Sequence, residues 1–62
     1  MIYKSEKFGD AKVYAVATNF AGTVTVKEFQ NGCRRSELTL AADQAAPFIF
    51  NLEKAGFVQQ KR

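Results

Sequence analysis

The chain has 62 residues, with nine Lys/Arg against six Asp/Glu for a formal charge of +3, 47% apolar residues, one Cys, one Pro and neither His nor Trp. This length admits one small domain, which buries only about 60% of the surface its unfolded form exposes and is therefore helped by a second subunit or a ligand. With no His and only Cys33, a Cys/His zinc site and any nucleophile paired with imidazole are excluded.

In chain order, residues 2–8 read as a first strand ahead of a turn at Gly9 and Asp10. Residues 12–20 are rich in Val, Ala and Tyr, and residues 23–29 alternate Thr and Val at period two, the pattern of half-buried strands. A four-residue turn over 19–22 sets Thr18 opposite Thr23, which collects Ala15, Ala17, Val24 and Val26 on one apolar face. At Asn31 and Gly32 a two-residue hairpin turn would put Val24 and Val26 on the opposite face from Leu38 and Leu40. A three-residue loop of Gln30, Asn31 and Gly32 brings all four together, and is preferred for that reason. Residues 33–40 form the fourth strand.

Residues 42–55 carry Ala45, Phe48, Ile49 and Leu52 on one helical stripe, with Pro47 in or near the first turn. Asp43 suits the helix start and Lys54 its end, and Gly56 reads as the stop, with Phe57 folding back on Leu52. The fold class predicted is α+β: a four-stranded antiparallel sheet in the order β-β-β-β-α, its C-terminal helix packed across one face. The domain spans residues 1–58, and residues 59–62 are read as a flexible basic tail ending in Lys61 and Arg62.

This register leaves Lys12, Tyr14, Val16, Thr25, Lys27, Phe29, Cys33, Arg35, Glu37 and Thr39 on the open face. Cations interleaved with aromatics suit single-stranded nucleic acid, because bases stack on rings while Lys and Arg neutralise phosphates. The candidate binding residues are Lys12, Tyr14, Lys27, Phe29, Arg34 and Arg35. Glu28, expected opposite Arg34, competes for that guanidinium, so Arg35 ranks above it. Phe20 at a turn and Phe50 on the far side of the helix lack an obvious burial, which makes both candidates for a partner contact.

The six carboxylates are scattered, and Cys33 has neither a base nor a resolving Cys beside it. No catalytic residue, metal or cofactor is expected, and the chain is read as non-enzymatic. No apolar run approaches the roughly 20 residues of a spanning helix, the N-terminus lacks a secretory pattern, and a lone Cys forms no internal disulfide. The expectation is a cytoplasmic protein that makes no membrane contact. The element order, with Leu38-Thr39-Leu40 leading into the helix, resembles positive-cofactor-type transcriptional coactivators and other small dimers that bind single-stranded DNA. That likeness covers most of the chain without a specific motif, and implies a homodimer using its open sheet faces. Modules of this size among phage and mobile-element proteins bind and inhibit host machinery, so the alternative partner is a host protein docking on the same surface.

Overall fold

The computed structural model describes residues 1–60. Its elements are β1 (Ile2–Ser5), β2 (Gly9–Thr18), β3 (Val24–Gln30), β4 (Cys33–Leu40), α1 (Ala42–Lys54) and β5 (Phe57–Gln59). They form an α+β fold with one helix and one antiparallel sheet in the order β4-β3-β2-β1-β5.

The sheet has five strands where four are expected from sequence. The helix stops at Gly56, whose N–H donates to the Glu53 carbonyl at 3.0 Å, and the chain then returns along the free edge of β1. Tyr3 faces Gln59 and Ser5 faces Phe57 across that pair. Three residues are too few for period-two alternation to be visible. Gln59, expected in a frayed tail, is a strand residue, and the Gln60 N–H donates to the Ile2 carbonyl at 2.7 Å. Lys61 and Arg62 lie outside the described residues.

Two connections set which side of each strand faces the core. Between β2 and β3 the Asn19 N–H donates to the Thr23 carbonyl at 2.8 Å, and the Gly22 N–H donates to the Asn19 carbonyl at 3.1 Å. The Asn19 side-chain amide also donates to the hydroxyls of Thr23 and Thr25. Asn19 and Thr23 thus close a three-residue loop, Phe20-Ala21-Gly22, with Gly22 at φ 80°. The four-residue turn is one residue off. Thr18 faces Val24, Val16 faces Val26 and Tyr14 faces Glu28, so β2 is turned over relative to the sequence reading.

Between β3 and β4 the turn is the two-residue one, Asn31 and Gly32, both at positive φ, with Gln30 facing Cys33. A two-residue turn separates Val24 and Val26 from Leu38 and Leu40 only where the ladder is uninterrupted. A bulge follows instead: Phe29 faces Arg34, Glu28 faces Ser36, and Arg35 has no opposite residue. The extra residue restores the parity that the short turn removes. Val26 then faces Leu38 and Val24 faces Leu40, which gathers the four apolar residues on one side by another route.

The buried cluster consists of Tyr3, Val16, Val24, Val26 and Phe57 from one sheet face, with Ala45 and Leu52 from α1. Phe48 and Ile49 are partly buried against it. Tyr14 meets Phe57 edge-on at 5.1 Å between ring centroids and Phe48 at 6.2 Å. The helix opens with the Ala41 N–H donating to Gln44 Oε1 at 3.3 Å, the reciprocal half of a capping box. Pro47 lies in the second turn rather than the first. It is exposed and cannot donate to the Asp43 carbonyl, yet the helix continues to Lys54.

Deleting Arg35 while keeping Asn31-Gly32 turns Leu38 and Leu40 to the outer face. Because Leu40 is only partly buried and Leu38 is 47% exposed, the expected loss is about 2 kcal/mol in urea unfolding, against under about 0.5 kcal/mol for Arg35→Ala. Equal tolerance of the two changes contradicts the role given to the bulge.

Candidate binding face of the sheet

The face away from the cluster, here the outer face, carries Val58 on β5, Ile2 and Lys4 on β1, and Val13, Ala15 and Ala17 on β2. β3 adds Thr25, Lys27 and Phe29, and β4 adds Arg34, Glu37 and Thr39. The expected site is therefore divided. Lys27, Phe29 and Arg34 share this face, and Arg35 stands at the bulge beside them. Lys12 and Tyr14 do not, because the three-residue loop before β3 puts them on the core face.

There Lys12 is committed within the molecule. Its Nζ lies 3.8 Å from Glu28 Oε2, 5.4 Å from the Phe8 ring centroid and 6.0 Å from that of Tyr14. Tyr14 belongs to the packing around Phe48 and Phe57. Of the surface sketched from sequence, Val16 is likewise in the core at 2% exposure, and Cys33 is exposed opposite Gln30 next to the turn.

Sequence reasoning missed the apolar strip that replaces them. Val13 and Ala15 are half-buried and Ala17 exposed, with Ile2 on the neighbouring β1 at 39% exposure and Val58 on β5, beyond Lys4, at 63%. A shallow groove of about 340 Å³ runs along Ala15 and Ala17, between Met1 and Ile2 on one side and Thr25, Lys27 and Glu37 on the other. The two alanines make it: their short side chains leave the floor low between longer neighbours. Asn19 followed by Gly22 and Thr23 was the signal in the sequence that could have located this face.

Much of the positive charge near the groove is answered internally. Arg34 pairs with Glu37 at 3.1 Å rather than with Glu28, and Lys4 pairs with Asp10 at 2.7 Å. Exposed pairs of this kind contribute little to stability but do neutralise one another locally. Among the described residues, Lys27 and Arg35 have no carboxylate within 4 Å. A larger hollow, about 640 Å³, opens at the β1–β2 turn beside Gly56. Its Glu6 and Lys7 are exposed, and none of the candidate residues lines it.

Phe20 is fully exposed in the loop at the Ala17 end of the groove, at 112% of its reference area. Phe50, 59% exposed, has Lys54 Nζ 5.5 Å from its ring centroid. Among the described residues no three His, Cys, Asp or Glu side chains gather as a metal site, and no helix is long and apolar enough to cross a membrane. Compared with protein-family models, curated proteins and solved structures, the chain matches none.

The hydrogen bond from Lys4, reinforced by its charge, holds the Asp10 carboxyl below the usual 3.8. A depressed carboxylate pKa means that the pair supports the fold above the ordinary value and is lost as pH falls through the depressed one. Carboxyl NMR titration is expected to place Asp10 below 3.8 in the native chain and to return it toward 3.8 in Lys4→Ala. An identical titration in both contradicts the pair.

Proposed function

We propose that the chain is a small non-enzymatic module that binds another protein through the outer face of its sheet. The observation that carries this reading is the composition of the face: an apolar strip of Ile2, Val13, Ala15 and Ala17, with a groove along its alanines and Val58 beyond Lys4. Such a surface suits a bulky aliphatic or aromatic side chain inserted by a partner, and Phe20 offers a reciprocal anchor beside it. Lys27 and Arg35, which among the described residues of this face have no carboxylate within 4 Å, favour acidic residues at the rim of that partner.

A single-stranded nucleic acid is the second reading, favoured by the cluster of Lys27, Phe29, Arg34 and Arg35 near the β3–β4 turn. It has lost the second aromatic and one cation that the sequence suggested, and Arg34 already has Glu37. One stacking ring, Arg35 and a Lys27 that faces Glu37 across the ladder make a small platform for a strand whose affinity comes from several phosphates and bases together.

A photo-crosslinking side chain placed at Ala17, with Asn51 on the helix as the control position, separates the two. Protein adducts at Ala17 and none at Asn51 are expected, and Phe20→Ala should lower their yield about tenfold, the effect of losing an anchor residue. Adducts from Asn51 alone contradict the proposal. So does binding of a labelled single-stranded oligonucleotide that falls steeply with salt and disappears in Phe29→Ala, which would establish the second reading.

A further inference from the structure

β4 is an outermost strand of the sheet, and its residues from Cys33 to Thr39 are all exposed. Edge strands offer a row of free N–H and C=O groups, and proteins commonly blunt them by shortness, Pro, a bulge or charge. The opposite edge, β5, is blunted by being three residues long. In β4 the eight-residue strand is interrupted only at Arg35. The five residues beyond, 36–40, contain no Pro and one charge, Glu37. Leu38, on the core face, is 47% exposed beside a groove of about 210 Å³ that Tyr14, Glu28 and Phe48 also line.

We infer that this edge pairs with the same edge of a second copy, antiparallel about a two-fold axis at Leu38, joining two five-stranded sheets into one of ten strands. A two-fold perpendicular to the sheet keeps the core faces on one side, so facing residues must share parity and the axis must pass through a residue position. An axis at Glu37 would set that carboxylate against itself, which is unfavourable. An axis at Thr39 would leave three facing strand residues, because β4 ends at Leu40 and α1 begins at Ala42. Centred on Leu38, all five residues pair: Leu38 with Leu38, Glu37 with Thr39, and Ser36 with Leu40.

That register removes the exposed leucine from water and opposes no like charges. The second copy also extends a core that is small for an isolated domain. In the assembly both outer faces look the same way, so the docking surface is doubled and left uncovered. The inference does not rest on the proposed function, and each has its own readout.

Light scattering is expected to give twice the 6.9 kDa chain mass. Leu38→Lys and Leu38→Glu should each give the mass of a single chain, and mixing the two should restore the doubled mass, because position 38 faces its own copy. On the native chain, a sample mixing isotope-labelled and unlabelled protein should show intermolecular methyl contacts between the two Leu38 side chains, a readout that needs no folded variant. A native chain of single mass at millimolar concentration overturns the inference. So does a dimer that persists in either charged variant, or one lost in Ala15→Glu but not in Leu38→Lys. Failure of the crosslinks at Ala17 would leave all these masses unchanged.

Discussion

Residues that face each other in an antiparallel pair point to the same side, so a one-residue slip turns an entire strand over. In this protein the consequence is concentrated in β2, whose two sides are both plausible cores: Tyr14 and Val16 on one, Val13, Ala15 and Ala17 on the other. Asn19 decides between them. Its backbone and side-chain bonds to Thr23 and Thr25 close a three-residue loop and deliver Tyr14 and Val16 to the cluster. The smaller residues are left outside, where they form the groove. Arg35 performs the corresponding correction in β4, since without an extra residue there the two-residue turn would separate Leu38 and Leu40 from Val24 and Val26.

Much of the fold was legible in the sequence because its signals were local. Period-two alternation located β3 and, less cleanly, β4, and Val, Ala and Tyr content located β2. The stripe of Ala45, Phe48, Ile49 and Leu52 located the helix, and Gly56 marked where it stops. The first strand was legible only in part, since β1 ends at Ser5, and Gly9 and Asp10, expected as its turn, open β2. The grouping of Val24, Val26, Leu38 and Leu40 was legible as well, although the turn and bulge that produce it were not. A bulge has no sequence periodicity of its own: Arg35 looks like any other edge residue until both ends of the hairpin are paired. The fifth strand escaped because Phe57–Gln59 is defined by the edge of β1 that it meets rather than by its composition.

The candidate site shows the same sensitivity on a larger scale. Lys27, Phe29 and Arg34 lie together as the pattern suggested, since they depend on β3 and its hairpin with β4. The placement of Tyr14 and Lys12 depends on a second turn, and its one-residue difference from the four-residue form puts both on the core face, where Lys12 meets Glu28 and the rings of Phe8 and Tyr14. What remains outside is more apolar and less positive than expected, which is the ground on which we propose a protein partner ahead of phosphates and bases. A small domain that leaves an alanine groove, an edge strand and Phe20 exposed has placed much of its apolar area where partners can cover it.

The assignment of β2 is the claim on which the rest depends, and proton NMR reads it directly. Contacts from the Tyr14 ring to Phe48 and Phe57, together with cross-strand contacts of Val16 to Val26 and Thr18 to Val24, are the expected result. Contacts of Ala15 to Val26 and Ala17 to Val24, with the Tyr14 ring free of the helix, would contradict the account and return Tyr14 to the open face.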